Sequence, residues 1–354
     1  MALEAIGDAV DSSASKPING HCCLSAGLIA ADNGELRIEV ELDDQRDGSL
    51  ANAMLILPHD RLKRIMQSVD PKAHIQLVDG DNGAACITSG RDSWTLPTMP
   101  ASDWPAVEDP KLKNVCRLPA DQFYRMASHA RVACETGHHC RTALSAVMFE
   151  WADGVLTLVG TDSRNWCVAS SQIDQATDDS QTLVPRKSID AMVNAARRAG
   201  DASGVQLERS DTQAVARFER TTITARQLGG HFPMWREIGQ ERAEQPTKVS
   251  VGALLALCNA ASICTSPTSK GVAMTTGKTV RMKATSSEHG KAVCECDCAL
   301  AGASVTAIID LSTAAKWLGT IEEAATVEMH LTNSESAIVL VCEDTYTVIM
   351  PLVA

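Results

Sequence analysis

Apolar and polar positions alternate along this chain in blocks, and the blocks return in the same order three times. The stretches "GLIAADNGELRIEVELDD" (27–44), "AVMFEWADGVLTLVGTDS" (146–163) and "GVAMTTGKTVRMKATSSE" (271–288) share one pattern. Each is a β-like run, a turn containing Gly, and a strand of period two that ends in small polar residues. Leu36, Leu156 and Val280 fall at matching places, 120 and 124 residues apart. A second element follows in "ILPHDRLKRIMQSV" (56–69), "LVPRKSIDAMVNAA" (183–196) and "IIDLSTAAKWLGTI" (308–321), each predicted as a short strand running into a helix. Pro58 and Pro185 suit the first helical turn, and Asp310 or Ser312 suits a cap for the third helix. Two further alternating runs come after each helix, over 74–96, 204–226 and 326–350.

A third element precedes the hairpin in two of the copies. "ADQFYRMASHARVA" (120–133) and "SVGALLALCNAASI" (250–263) carry apolar residues at helical spacing. The first copy retains only "MALEAIGDAVDSS", with no strand before it. The chain therefore reads as three copies of one α+β unit, over 1–113, 114–245 and 246–354. Solenoid repeats are far shorter, so these are whole domains.

Composition narrows the class. With 45% hydrophobic and 21% charged residues, the chain describes a soluble globular protein, and 3% aromatics leaves its cores to aliphatic side chains. A formal charge of −12 argues against a general nucleic-acid coat but leaves room for a local basic stripe. Thirteen scattered cysteines without a secretory leader predict free thiols in a reducing cytoplasm. No apolar run approaches the roughly 20 residues needed to span a bilayer.

Several motifs, in order, resemble the bacterial DNA polymerase III β subunit, the sliding-clamp family. They are "SGRDSWTLPTMPASDWPAV" (89–107), "RTALSAVMFE" (141–150), "LVPRKSID" (183–190), "GGHFPMWREI" (229–238) and the closing "YTVIMPLVA" (346–354). The resemblance spans nearly the whole chain. It implies an α+β fold of three similar DNA-clamp domains, with strands outside and helices lining a ring. Two chains would join head to tail around duplex DNA. The polymerase and the clamp loader would dock through short peptides, with no cofactor and no catalysis by the clamp itself. The family begins with a strand ahead of its first helix, so either the start of this sequence is misassigned or the first domain's edge is altered.

The charge pattern fits that expectation. The helical stretches are basic against the acidic trend, with Arg61, Lys63, Arg64 and Lys72 in the first unit and Arg186, Lys187, Arg197 and Arg198 in the second. Arg125, Arg131 and Arg141, with His129, His138 and His139, add to the second unit's first helix and its exit. Contacts from such side chains would address phosphates without regard to sequence and weaken with salt.

The stretch "GTDSRNWCVAS" (160–170) carries the most chemistry, and Trp166 within it reads as exposed. Asp162–Ser163 lacks a G-x-S-x-G elbow and a nearby histidine, which makes hydrolysis a poor reading. By the family match, Thr161, Ser163, Arg164, Asn165 and Trp166 line the partner-peptide pocket. Leu144, Pro233, Glu237, Ile238, Val348, Met350, Pro351 and Leu352 would complete it. Ser163 stands where the family has glycine, and Glu237 where it has arginine. "GVAMTTGKT" (271–279) misses the P-loop spacing and lies at a hairpin, so Gly277–Lys278 reads as a turn. Cys294, Cys296 and Cys298 on one face of a strand make poor geometry for a tetrahedral metal, so no metal is expected. The other class of reading is a clamp-like interaction module that uses the pocket without closing on DNA.

Overall fold

The alternating runs become strands and the helical spacings become helices, in an element order that recurs. The computed structural model describes residues 2–13, 15–25, 27–42, 54–80, 83–106, 111–136, 142–173, 179–268 and 270–352. The first round comprises α1 (Ala2–Ala5) with a 3-10 turn (Ile6–Ala9), β1 (His21–Ser25), β2 (Leu28–Asp32), β3 (Leu36–Glu41), β4 (Leu55–Pro58), α2 (His59–Ser68), β5 (Gln76–Gly80), β6 (Ala84–Ser89) and β7 (Asp92–Pro97). The second opens with β8 (Lys113–Pro119) and α3 (Ala120–Ala130), which a 3-10 turn (Arg131–Ala133) extends. It continues through β9 (Ala146–Ala152), β10 (Val155–Thr161), β11 (Asn165–Gln172), β12 (Ser180–Pro185), α4 (Arg186–Ala199), β13 (Gly204–Arg209), β14 (Gln213–Arg217) and β15 (Thr221–Arg226). The third comprises β16 (Thr247–Ser250), α5 (Val251–Ser262), β17 (Gly271–Thr275), β18 (Thr279–Ser286), β19 (Gly290–Asp297), β20 (Thr306–Asp310), α6 (Leu311–Leu318), β21 (Thr326–His330), β22 (Ile338–Cys342) and β23 (Thr345–Ile349).

Helix starts follow local chemistry. Asp310 caps α6 by accepting the Ser312 N–H at 2.9 Å. The Ser250 hydroxyl accepts the Ala253 N–H at 3.3 Å and caps α5. The prolines differ from expectation. Pro58 and Pro185 end β4 and β12 instead of entering the first helical turn, and Pro58 sits at the N-cap with φ −62° and ψ 112°. Both strands lie at the edge of their sheets, where a residue without an N–H is tolerated. Gly277 and Lys278 lie between β17 and β18, at a hairpin turn as expected.

Two compact units result, and they cut across the three repeats. One comprises Met1–Phe123 with Lys187–Gln227, the other Tyr124–Arg186 with Leu228–Ala354. The reason is strand pairing between repeats. In the first unit an eight-stranded sheet runs β4-β1-β2-β3-β15-β14-β13-β8, joined where β3 meets β15 antiparallel. The second unit repeats the arrangement as β12-β9-β10-β11-β23-β22-β21-β16, joined where β11 meets β23. A three-stranded sheet β5-β6-β7 completes the first unit and a four-stranded sheet β19-β18-β17-β20 the second.

Alternation sends neighbouring side chains of the second unit into two cores. Cys167, Ile338, Leu340 and Ile349 join Leu254, Leu257 and Trp317 on the helical face. Trp166, Val168, Val339 and Val348 form a separate cluster on the opposite face. Burial on this scale contributes about 1.5–3 kcal/mol for each large apolar side chain. On the helical side the chain packs so closely that a Cβ at Gly160 in β10 would lie 2.0 Å from the Ala130 carbonyl oxygen at the end of α3. His129 on α3 reaches α6: its Nδ1 lies 2.6 Å from the Thr320 hydroxyl, and its ring 6.5 Å from that of Trp317.

These contacts yield two predictions. Gly160→Ala forces strand and helix apart, so denaturant unfolding should show a loss of about 1–3 kcal/mol, typical of overpacking. Burial, reinforced by the charge of Arg125, lowers the pKa of His129 from 6.5 to about 4. In the unfolded chain the ring protonates near its ordinary value, so its contribution is complete above that pH and is lost as pH falls towards about 4. Stability measured from pH 7 to 4 should therefore fall by on the order of 3 kcal/mol through this group, and His129→Gln should flatten that part of the profile.

Candidate functional site

The turn between β10 and β11 is built from its own polar groups. Ser163 holds a left-handed backbone at φ 72°, which accounts for the glycine that the family resemblance places there. The Asp162 carboxylate accepts the Arg164 and Asn165 N–H groups at 2.9 and 2.7 Å, and the Asn165 side-chain amide at 2.8 Å. The Thr161 hydroxyl donates to the Asn165 carbonyl at 2.7 Å and accepts the Ser163 N–H at 2.9 Å. The Ser163 hydroxyl donates to the Asp162 backbone carbonyl. Carboxylate and hydroxyls are all spent on turn geometry, so this is a structural Asx-type turn and not a nucleophile with its base.

Beneath the turn lies a buried apolar cluster. Trp166, read from the sequence as exposed, is 5% exposed, because β11 turns it into the cluster with Val168 and Val348. Its indole Nε1 is buried and unpaired among the described residues. Phe232, Trp235 and Ile238, from the segment after β15, pack against the same cluster, as does Tyr346 from β23. Val348 approaches Gly239 so closely that a Cβ there would meet its Cγ2 at 2.5 Å, at a φ of 67°. Arg236 pairs with Glu150 and stacks 4.7 Å above Trp235, and Arg242 lies 5.6 Å above the Tyr346 ring.

Of the residues expected to line a pocket, the structure thus brings Trp166, Ile238 and Val348 into one cluster, edged by Thr161, Ser163, Arg164 and Asn165. The Met350 N–H donates to the Arg164 carbonyl at 3.2 Å, tying the C-terminal run to the turn, and Met350 is 39% exposed. Pro233 and Pro351 are half-buried, while Glu237 is exposed. Leu144 is buried in its 3-10 turn, and its neighbour Ala143 is the one that packs on the cluster. Leu352 instead reaches β20, its N–H donating to the Ile308 carbonyl at 2.7 Å. Phe232, Trp235, Gly239, Tyr346 and Arg242 escaped the sequence reading. The aromatic pair within "FPMW" was the available signal.

The junction between β3 and β15 supplies a control inside the same molecule. Arg37 faces Thr224, and Glu39 faces Thr222, at the places where β11 and β23 set Trp166 against Val348 and Val168 against Tyr346. Arg37 is paired there with Glu39 at 2.8 Å and with Asp32 at 3.4 Å. One junction is charged and self-satisfied; the other is apolar.

The basic residues are distributed as follows. Arg61, Arg64 and Lys72 are exposed on and just after α2, with Lys63 half-buried. Lys187, Arg197 and Arg198 are exposed on α4, and Arg125 on α3, with Arg131 half-buried. The Arg186 guanidinium donates to the Arg131 carbonyl at 2.9 Å, which gives it a structural role at the exit of α3. Arg141, His138 and His139 lie outside the described residues. Cys294 and Cys296 are half-buried on β19 with Cys298 just beyond it, and burial pushes the Cys296 thiol up to about 11. Among the described residues no cluster of three or more His, Cys, Asp or Glu is placed to hold a metal, and no helix is long and apolar enough to cross a membrane.

The thrice-repeated α+β unit, with sheets joined across repeats, is the sliding-clamp fold. A sliding clamp (DNA polymerase III subunit beta) from Pseudomonas aeruginosa, solved with griselimycin, superposes with a TM-score of 0.89 at 18% identity, over 100% of this chain and 96% of that one. The sliding clamp of Bacillus subtilis does so with a TM-score of 0.89 at 16% identity, over 100% and 96%. The beta sliding clamp of Haemophilus influenzae is 23% identical over 328 residues, covering 90% of this chain and 87% of that protein. Residues 117–234 match the family model described as DNA polymerase III beta subunit, central domain. The comparisons thus show the sliding-clamp fold over the whole chain and the central domain of the DNA polymerase III beta subunit family over residues 117–234.

The turn predicts its own sensitivity. Asp162→Ala removes three hydrogen bonds to one carboxylate, so unfolding free energy should drop by about 1–3 kcal/mol. Hydrogen exchange at Ser163–Asn165 should accelerate with it.

Proposed function

We propose that the chain is a DNA sliding clamp: a non-catalytic processivity factor that closes as a head-to-tail homodimer around duplex DNA inside the cell. The observation that carries this reading is a pairing used twice and left open once. β3 pairs with β15 and β11 with β23, each time joining the third strand after one repeat's first helix to the last strand of another repeat. The remaining members of that series are β19 and β7, and each is an edge strand of its sheet. A second copy supplies the missing partner at both places, β19 of one chain against β7 of the other. An unpaired edge of this kind is a ready template for such pairing. In this reading 1–113, 114–245 and 246–354 are the three clamp domains, giving six per ring.

The exposed cations of α2, α3 and α4 are the groups proposed to face DNA phosphates, while the net charge of −12 keeps the ring from clinging to its track. Partners, chiefly the polymerase and the clamp loader, would dock by short peptides on the apolar junction, over Trp166, Ile238, Val348 and Met350. Arg164, Asn165 and Glu237 would supply polar selectivity at its rim. A peptide inserting two apolar side chains gains about 1.5–3 kcal/mol from each. Against ordering costs this gives affinities near the micromolar range, which suits a platform that exchanges partners.

The test is solution mass followed by retention on DNA. Light scattering should give twice the chain mass of 37.7 kDa, and a loaded ring should stay on circular DNA and slip off once the circle is cut. Val293→Glu, at a position 55% exposed on β19, should weaken dimerisation more than about tenfold by placing an acid at a strand-pairing edge. A monomer at every concentration that still binds partner peptides would overturn the ring and leave a clamp-like interaction module.

A further inference from the structure

The β11–β23 junction buries a donor that nothing answers. Trp166 is 5% exposed, and its indole Nε1 has no hydrogen-bond partner among the described residues. The hydroxyls of Ser128 and Thr182 and the Nδ1 of His330 share that state. A hydroxyl can turn, however, and an imidazole can change tautomer. An indole N–H is donor only and fixed in its ring, so only an acceptor brought to it can satisfy it. At the matching place on β3, the donor is Arg37, and Glu39 and Asp32 both answer it.

The ring is held where it stands. Main-chain ladders fix Trp166 on both sides, opposite Thr161 on β10 and Val348 on β23, and the Thr347 hydroxyl donates to its carbonyl at 2.9 Å. The polar groups of the neighbouring strands are already engaged. The Thr161 hydroxyl holds the turn, and the Glu150 carboxylate accepts the Gln181 side-chain amide at 2.8 Å and pairs with Arg236. From the strands, Met148, Val159, Val168 and Val339 complete the buried part of the cluster. The rest of its wall is different in kind. Phe232, Trp235 and Ile238 are only partly buried, and among the described residues no main-chain hydrogen bond ties 229–237 to a strand. That segment can give way to a ligand without breaking a ladder.

We infer that Trp166 Nε1 is a specificity-determining donor: the partner peptide proposed to dock at this junction carries, among apolar side chains, one Gln or Asn whose amide carbonyl accepts this N–H. The inference rests on that docking reading and adds the chemistry the peptide must bring. A carboxylate suits the place less, since it would shed its hydration among Met148, Val159 and Val168 for a single bond. A wholly apolar peptide leaves the donor as it finds it, so the peptide with the carbonyl gains a bond that its apolar rival does not. The amide hydrogens of that side chain can be answered at the rim, where Glu237 is exposed.

The probe is a hexapeptide library built from Leu, Phe, Met, Gln and Asn, selected on the full chain. Gln matches Met in length and Asn matches Leu in shape, so a preference within either pair reads the amide. Selected peptides should carry one amide residue at a fixed position, and its exchange for Met or Leu should weaken binding about tenfold, the size of one buried hydrogen bond. Binding should also move the Trp166 Nε1–H resonance downfield and slow its exchange with solvent. Benzothienylalanine in place of Trp166 keeps the bicyclic ring and lacks the N–H, so it should bind the amide peptide and its apolar match alike. Selected peptides without an amide, an amide preference that survives this replacement, or an unmoved Trp166 resonance would overturn the inference and leave peptide docking itself standing. Capture of no peptide by the unaltered chain would overturn the docking reading and this inference together.

Discussion

Everything in this molecule hangs on main-chain pairing across repeats. Two strands distant in sequence, β3 with β15 and again β11 with β23, exchange backbone hydrogen bonds and fuse sheets that local pattern alone would leave separate. Those ladders make eight-stranded sheets out of four-stranded halves and dictate which residues share a compact unit. Backbone groups are obligatory partners wherever water is excluded, so the join is strong without requiring any particular side chain on its outer face. That indifference explains how the fold persists at 18% identity with a TM-score of 0.89.

Side chains freed from architectural duty can specialise. At the first junction Arg37 answers Asp32 and Glu39, leaving a surface that satisfies itself. At the second, Trp166, Val168, Tyr346 and Val348 occupy the same register, overlaid by Phe232, Trp235 and Ile238. The β10–β11 turn sits beside this apolar ground as a rigid rim, its Asp162 carboxylate locked by three bonds.

Much of this was legible in the sequence. Period-two runs located hairpins, although the run at 27–44 is β2–β3 while its supposed counterparts are β9–β10 and β17–β18, one strand earlier in the repeat. Helical spacing located α3 and α5, and of Asp310 and Ser312 it is Asp310 that caps α6. Ser163 could be singled out because its neighbours aligned with a turn that elsewhere uses glycine. The proline positions misled, since Pro58 and Pro185 obey the rule for edge strands before the rule for helix starts. Trp166 misled for a different reason: an aromatic beside a polar turn looks exposed until the pairing of β11 with β23 decides which face it joins. Non-local pairing is invisible to windows of ten or twenty residues, which is also why the compact units crossed the repeat boundaries. The aromatics at 232 and 235 were missed because their burial depends on where the segment after β15 folds back.

The asymmetry between the two junctions also sets an occupancy rule. A chain with two apolar junctions could hold two clients at once. With Arg37, Asp32 and Glu39 making the first a charged surface, the proposed apolar docking place occurs at the second junction alone of these two, and clients that use it would take turns. Competition for a seat then becomes a property written into one pair of side chains, and traffic on the protein is governed by how quickly each occupant leaves.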